Sequence, residues 1–310
     1  MKSFLYYPIL LLLATITNAQ DTTMYYGNMP VQLTDVVISN KLDVPAFINR
    51  VKKDTSFYKA FKNLRILQFT SLNSIQMLNK QGKTQATLQS KTRQVMDNGC
   101  RSMQILDENT SGDFYTKKGD YNYYTAELYA SLFFTTGSVC GESNTVQGKT
   151  PSTKGKSGLS KHKEQLKILF FNPGQKIPGI PFMGNKAAIF DDDVAALYDF
   201  SIDYKDYYNG QTCYVFTIKP KTTLTSSQKN SLVIDEMITW FDAATMEIVS
   251  RSYALSYHAG VYDFDVSMDV QMTKVGNLLV PHTLKYKGNW FAFLKGRERG
   301  VFTATLFDFR

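Results

Sequence analysis

Residues 262–272 read YDFDVSMDVQM and alternate apolar and polar side chains without a break. Alternation with a period of two predicts an extended strand that has one buried and one solvated face. The polar face carries three aspartates, Asp263, Asp265 and Asp269. The apolar face, which we call the β-wall, consists of Tyr262, Phe264, Val266, Met268, Val270 and Met272.

The rest of the C-terminal half continues this strand pattern. Asn209-Gly210 is predicted as a two-residue hairpin turn between two alternating runs. Further strands are predicted at residues 232–241, 247–257, 262–275, 278–287, 289–295 and 301–310, with the last two joined by a turn at GRERG. Strands of this length must twist and coil, so we expect a strongly curved sheet.

The N-terminal half mixes helices with strands. Asp43 and Pro45 begin an amphipathic helical pattern over 44–64, which Asp54 to Ser56 divides into two. Strands are predicted at 66–79 and 84–96, a second strand pair around residues 109–113, a long Tyr-rich strand at 121–135, and a helix at 160–171. The expected fold class is therefore mainly β with a few helices (α+β), arranged as a long antiparallel meander.

Residues 1–19 have the pattern of a signal peptide. A short basic start precedes an apolar run, and small residues surround Ala19, so we expect cleavage near Ala19. The run is shorter than the roughly 20 residues that span a bilayer. We expect an exported protein, periplasmic or associated with the cell envelope, with a single domain at 20–310 and no transmembrane segment in the mature chain.

The chain is basic, with a formal net charge of +8. Much of the excess lies in an inserted basic loop near 141–160, and a Pro/Gly-rich loop follows near 172–187. A basic surface attracts anionic headgroups or acidic polymers. Export argues against nucleic acid, which leaves anionic lipid headgroups, through peripheral contact with a membrane, or acidic polysaccharide as candidate partners.

The chain has three cysteines, and an oxidising compartment favours pairing two of them. Cys213 lies in the middle of a strand with apolar neighbours, which is typical of a buried free thiol. Cys100 and Cys140 are therefore the candidate disulfide, and three reduced cysteines are the alternative.

Motifs for catalysis and for metal or cofactor binding are missing from the sequence. It contains none of the common nucleophile, zinc, redox, phosphate or dinucleotide motifs, so we expect no catalytic residues, no metal and no cofactor. Neighbouring side chains on one strand face lie about 6.5–7 Å apart, too far for Asp263 and Asp265 to share a small ion. That separation leaves open a polysaccharide hydrolase that uses Asp263 with Asp265. A solvated strand face is the simpler interpretation.

Two runs resemble the LolA/LppX/RseB-like group of exported, outer-membrane lipoprotein-sorting-like proteins. They are WFDAATMEIVSRSYALSY at 240–257 and YDFDVSMDVQMTKVGNLLVPHTLKY at 262–286. The recurring pattern is an aromatic-Asp turn, a strand with a basic residue, and a long strand that ends in a Gly turn and Val-Pro. Trp240-Phe241-Asp242, Arg251, Gly276 and Val280-Pro281 match it, and the resemblance covers roughly residues 44–310.

The resemblance implies an open antiparallel half-barrel with helices on its concave side, enclosing an apolar cavity. It also implies lipid or lipoprotein acyl chains as partners, and an outer-membrane or envelope protein as a further candidate partner. The β-wall would then line the cavity, and Arg251 would contact a headgroup. This chain is much longer than the lipoprotein carriers because of its two inserted loops.

Three functions follow from these observations. The leading hypothesis is a non-enzymatic exported protein that binds a lipid or another acyl-bearing hydrophobic ligand. The second is an envelope scaffold or interaction protein whose concave face is filled core. The third is the carboxylate-dependent polysaccharide hydrolase.

Overall fold

The computed structural model describes residues 22–39, 42–146, 167, 170–176, 185–258, 262–292 and 296–310. The strands are β1 Thr22–Tyr26, β2 Met29–Leu33, β3 Phe69–Leu78, β4 Thr84–Asp97, β5 Cys100–Ser111, β6 Val139–Cys140, β7 Tyr198–Asp206, β8 Thr212–Pro220, β9 Ile234–Asp242, β10 Ile248–His258, β11 Tyr262–Val275, β12 Leu278–Ala292 and β13 Gly296–Phe307. The helices are α1 Asp35–Ser39, α2 Val44–Lys53, α3 Ser56–Asn63, α4 Tyr124–Phe133, α5 Asp192–Ala195 and α6 Ser226–Lys229, with a 3₁₀ turn at Leu64–Ile66.

All described strands belong to one sheet, in the order β1-β2-β7-β8-β9-β10-β11-β12-β13-β3-β4-β5-β6. Two antiparallel meanders, β7 to β13 and β3 to β6, join where β13 pairs with β3. The β1–β2 hairpin, which the sequence patterns did not predict, adds to β7 in parallel. The ends, β1 and β6, do not pair with each other. The expected fold class is confirmed: the protein is mainly β, an open, curved half-barrel.

The first long helices cover the concave face. The Asp43 carboxylate accepts the Ala46 N–H at 3.0 Å and caps α2. The Asp54 carboxylate accepts the Ser56 N–H at 3.1 Å, where α2 gives way to α3. The helix pattern over 44–64 and its division at Asp54 are confirmed. On the buried side of α2, Phe47 packs on the rings of Tyr214 and Phe241, 6.1 and 5.5 Å away, and so attaches the helix to β8 and β9.

The predicted Tyr-rich strand at 121–135 is wrong, because Tyr124–Phe133 is the helix α4. Aromatic residues favour strands, but this segment gains a helix cap from a distant part of the chain. The Glu298 carboxylate of β13 accepts the N–H groups of Tyr124 and Thr125 at 3.0 and 2.7 Å. These N–H groups belong to the first turn of α4 and have no partner within the helix, and a negative charge is favourable there.

Several predicted turns and the strands next to them also differ from the structure. GRERG is not a turn, since it lies within β13, and the predicted strands at 278–287 and 289–295 are one strand, β12. The predicted strand pair around residues 109–113 is wrong, because among the described residues no strand of the sheet lies between β5 and α4. This region contains one isolated bridge, between Tyr115 and Tyr121. The Asn209-Gly210 loop has three residues, since Tyr207 donates its N–H to the carbonyl of Gln211.

Some predictions lie outside the described residues. These are the signal peptide at 1–19, most of the basic loop, most of the helix at 160–171, and the middle of the Pro/Gly-rich loop. Within the described part of the chain, no helix has the length and apolar character needed to cross a membrane.

Candidate functional site

The β-wall is packed core in this structure. Phe264, Val266, Met268 and Val270 are almost fully buried, and Met272 packs partly buried at the edge of the core. The ring of Phe264 lies 4.9 Å from that of Trp290 on the neighbouring strand. The side chain of Tyr262 lies outside the part of the chain that the structure describes. The structure therefore brings most of the β-wall together, but against protein atoms.

Phe170 covers the middle of the β-wall. Its ring centroid lies 5.3 Å from that of Tyr286 and 6.0 Å from that of Trp290. The Tyr253 hydroxyl donates a hydrogen bond to the Phe170 carbonyl at 2.5 Å and lies 2.9 Å from the sulfur of Met268. One short segment, beginning at Phe170, thus closes this part of the concave face.

A cavity of about 320 Å³ lies beside the β-wall, beneath α3 and α4. The floor of the cavity is formed by β3, β12 and β13. Phe171 lines the cavity, whereas its neighbour Phe170 does not. This volume is near the lower limit of small-ligand sites, roughly 300–1,000 Å³. Its apolar lining consists of Tyr58, Phe61, Leu64, Phe69, Leu132, Phe133, Phe134, Phe171, Leu284, Ala304 and Leu306.

Phe171 is the central aromatic contact of this cavity. Its ring centroid lies 4.5 Å from that of Phe61 on α3 and 6.2 Å from that of Phe133 on α4. Phe133 in turn stacks on Phe302 of β13 at 4.9 Å. Adjacent residues therefore face two regions: Phe170 fills the β-wall side, and Phe171 lines the cavity side.

The inner surface of β3 and β4 contributes polar groups to the cavity. The side-chain nitrogen of Asn73 donates to the Thr92 hydroxyl at 3.2 Å, and its side-chain oxygen Oδ1 accepts from the Ser71 hydroxyl at 2.9 Å. The Gln94 amide donates to the carbonyls of Leu64 and Leu67 at 2.6 and 2.7 Å. These polar groups already have partners, so an apolar ligand can lie beside them without leaving a buried group unpaired.

The rim of the cavity is mainly cationic. We call its charged residues the cationic rim: Lys62, Arg65, Arg101, Lys167 and Glu142. Arg101 donates to the Glu142 carboxylate, and Arg65 lies 3.2 Å from the other oxygen of that group. Among the described residues of the rim, one carboxylate, Glu142, faces the three cations Lys62, Arg65 and Arg101, so this part of the rim has an excess of positive charge.

The pKa of Lys62 is affected by the positive charge at the rim. Its ammonium donates to the Thr145 carbonyl at 2.6 Å. Partial burial lowers the pKa of Lys62, the positive charge of Arg65 lowers it further, and Glu142 opposes both. An anion bound at the rim would offset the repulsion between Arg65 and the Lys62 ammonium, and would raise the pKa of Lys62.

Arg251 lies away from the rim, on the inner face of β10. Its Nε donates to the Thr239 hydroxyl at 2.9 Å, and its guanidinium carbon lies 4.6 Å from the centre of the Phe57 ring. The Asp54 carboxylate is 4.0 Å away. The residue is buried beneath the junction of α2 and α3, so its predicted headgroup contact stays a prediction that requires this junction to move.

The three aspartates of β11 lie on the outer face, as predicted. Asp263 lies 2.8 Å from Arg297 and 3.2 Å from His258, while Asp265 and Asp269 are exposed. Partial burial raises the pKa of Asp263, but Arg297 and His258 outweigh it, and the net pKa is lowered. A general acid needs the opposite shift. No group of side chains suited to a metal occurs within the ranges that the structure describes.

The disulfide prediction is confirmed, since Cys100 and Cys140 are bonded where β6 pairs with β5. Cys213 is buried and free, also as predicted. Burial, followed by the charges of Asp242 and Asp206, raises the pKa of its thiol to about 11. This thiol is therefore protonated at neutral pH.

The cavity beneath α3 and α4 is not predicted by the sequence patterns. Its lining comes from segments far apart in the chain, and α4 was mistaken for a strand. One local pattern could have pointed to it: Lys62 and Arg65 alternate with Phe61 and Leu64 at the end of the predicted helix. Basic residues that border an apolar helix face are typical of a surface that meets an amphiphile.

No family model matches this chain, and no curated protein does. Among solved structures, the chain is similar to a DUF1329 family protein from Desulfovibrio piger, at 11% identity over 82% of this chain and 90% of that one, with a TM-score of 0.25. It is also similar to a putative outer membrane lipoprotein-sorting protein domain from Vibrio parahaemolyticus, at 11% identity over 84% of this chain and 92% of that one, with a TM-score of 0.28. The second likeness is to the group that the sequence motifs resemble. At these TM-scores neither likeness supports a conclusion about function.

Proposed function

We propose that this protein is a non-enzymatic binding protein of the cell envelope. It holds the acyl chain of a lipid or lipoprotein-like amphiphile in the cavity beneath α3 and α4. One observation carries this proposal: a cavity with aromatic side chains on its walls and paired polar groups on its floor opens at a rim that bears cations. Such a site suits a molecule with an apolar tail and an anionic headgroup.

Burial of the tail supplies the affinity. Each methylene group taken from water into an apolar site contributes about 0.8 kcal/mol. The headgroup contributes orientation, because a carboxylate or phosphate beside Arg65 and Lys62 relieves repulsion between the cations. The β-wall extends the site when Phe170 and Phe171 move aside together.

Export is part of this proposal. It rests on the composition of residues 1–19, and it places the mature protein where envelope lipids and lipoproteins are found. N-terminal sequencing of the protein recovered from the envelope fraction tests it. The expected first residue is Gln20 or Asp21, and an intact Met1 would contradict export.

The first test of binding is a denaturing extraction of the freshly purified mature protein, analysed by mass spectrometry. A stoichiometric acyl species is expected. Ala304 lines the cavity from β13, so Ala304→Phe fills it and is expected to remove most of the bound lipid. Ala254→Phe on β10, outside the lining of the cavity, is the matched control and keeps its lipid.

The packed β-wall favours one second candidate, an envelope scaffold with a filled concave face. A scaffold yields no lipid on extraction, even after incubation of the protein with envelope lipids. That blank result would reject lipid binding and leave the scaffold function. The hydrolase is not proposed, because Asp263 is held by Arg297 and lacks the raised pKa of a general acid.

A further inference from the structure

The convex face of the sheet, opposite the helices, carries a shallow pocket of about 290 Å³ over β9 to β12. It is separate from the cavity beneath α3 and α4, and the two share no lining residue. Outer faces of antiparallel sheets are usually flat and solvated. Here a cluster of aromatic side chains projects at one end and forms a wall of the pocket.

The aromatic cluster consists of Tyr207, Tyr208 and Trp240. The Tyr207 ring lies 5.2 Å from the Trp240 ring and 5.0 Å from the Tyr208 ring. Tyr208 is 93% exposed. Gln211, at the end of the same turn, donates its side-chain amide to the Asp242 carboxylate at 2.6 Å, which ties the turn to the end of β9. The turn that bears the exposed Tyr208 ring is therefore fixed to the sheet.

Strand register places two rows of polar side chains beside this cluster. The first row runs from Trp240 through Ser250 and Gln271 to Thr283. The second row runs through Ser252, Asp269 and Lys285. Neighbouring strands lie about 4.8 Å apart, so four strands present donors and acceptors across roughly 14 Å.

These polar side chains have unused hydrogen-bonding capacity. Within the described part of the chain, Ser250, Ser252, Asp269, Gln271 and Lys285 make no side-chain hydrogen bond and no ion pair. Several charged groups elsewhere on the outer face are paired, as in the Asp263–Arg297 and Lys219–Glu236 contacts. The pocket therefore offers hydroxyl, amide, carboxylate and ammonium groups together, next to an apolar ring surface.

We propose that this pocket binds a neutral oligosaccharide. A pyranose ring has an apolar C–H face that packs on an aromatic ring, and its hydroxyls both donate and accept hydrogen bonds. Tyr208 and Trp240 supply the first surface, and Gln271 and Asp269 with Lys285 supply the second. Asp269 and Lys285 are cross-strand partners of opposite charge, so these two charges cancel and do not favour an anion.

The test is isothermal titration calorimetry of the mature protein with two probes, cellohexaose and the hexamer of N-acetylglucosamine. Binding of at least one is expected. Tyr208→Ala is expected to weaken that binding about tenfold, which corresponds to about 1.4 kcal/mol, because it removes the exposed ring on which a sugar face packs. Tyr208 is almost fully exposed, so this change does not endanger the fold.

Two further variants complete the test. Gln271→Ala removes the amide of the first polar row and is expected to weaken binding several-fold. Tyr25→Ala removes another exposed ring, on β1, and is expected to leave affinity unchanged. The proposal is overturned if neither probe binds, or if Tyr208→Ala and Tyr25→Ala bind equally well. Lipid extraction from the same variants is unaffected, which keeps this result distinct from the test of the cavity.

Discussion

The hydroxyl of Tyr253 donates a hydrogen bond to the carbonyl oxygen of Phe170 at 2.5 Å, in the middle of the concave face. Tyr253 belongs to β10, while Phe170 comes from a segment 83 residues earlier in the chain. The same hydroxyl lies 2.9 Å from the sulfur of Met268, so the bond fixes Phe170 beside the β-wall. It explains why a strand face with the composition of a ligand wall is closed in this structure.

Tyr253→Phe should lower the free energy of unfolding by about 1–3 kcal/mol, because it leaves the buried Phe170 carbonyl without its donor. Urea denaturation measures this. Tyr257→Phe is the matched control on the same strand. The Tyr257 hydroxyl is buried and has no hydrogen-bond partner in the described structure, so its removal should be neutral or stabilising. Equal losses in both variants would contradict the importance of the Phe170 contact.

Binding of an anionic amphiphile should weaken at high pH through Lys62. The pKa of this ammonium is lowered, so it loses its proton below the usual lysine pKa of about 10.4. A bound anion favours the charged form, and affinity therefore falls as pH rises through the lowered pKa. A long-chain alkyl sulfonate is the probe, because it stays anionic throughout. Lys62→Arg should keep its affinity over the same pH range.

Charge at the rim also has a matched control. Arg65→Glu should weaken sulfonate binding about tenfold or more, since it replaces a cation at the rim by a repelling charge. Lys59→Glu makes the same charge change on the exposed side of α3, outside the cavity lining. Titration of both variants separates a local effect from a change in net charge. A similar loss in the two variants would argue against a headgroup site.

The Cys100–Cys140 bond should contribute about 4 kcal/mol to stability on the chain-entropy model, given a sequence separation of 40. Replacing both cysteines by alanine should lower the free energy of unfolding by that amount. Wild-type protein should lose the same stability in dithiothreitol, while the double variant should not respond to it. A response in the double variant would point to an effect of the reductant elsewhere.

Gly112 and Gly82 provide a test of backbone geometry. Both have positive φ, +67° and +79°, where a side chain is strained. A Cβ on Gly112 would lie 2.1 Å from the Gln85 carbonyl oxygen, whereas one on Gly82 meets nothing within 4 Å. Gly112→Ala should therefore lower the melting temperature clearly more than Gly82→Ala does. Equal decreases in melting temperature would mean that the backbone strain at positive φ, and not the contact with Gln85, destabilises both variants.

The strands were predictable from the sequence because their alternation is local. β11 begins at Tyr262 and ends at Val275, as its pattern predicts. α4 was not predictable, because its N-terminus is capped by Glu298, more than 170 residues later in the chain. The same long-range contact explains why GRERG is not a turn: its glycines and charges are typical of a loop, but Glu298 lies in β13 and caps α4.

The site was only partly predictable. Alternation correctly predicted that the β-wall is the buried face of its strand, but no local pattern shows that Phe170 fills the space above it. The cavity lies beside the β-wall, where α3, α4 and Phe171 converge on β12 and β13. Its position depends on helix packing and on tertiary contacts such as the one between Phe61 and Phe171. Such contacts leave no periodic trace in the sequence.

The most direct test of the central claim is photo-crosslinking with a palmitic acid that carries a diazirine near the end of its chain. The labelled peptides are then mapped by mass spectrometry. We expect label on the cavity lining, in peptides that contain Phe61, Phe133 or Leu306, and competition by unlabelled palmitic acid. Label confined to β11, or labelling that unlabelled palmitic acid does not reduce, would contradict an acyl-binding cavity beneath α3 and α4.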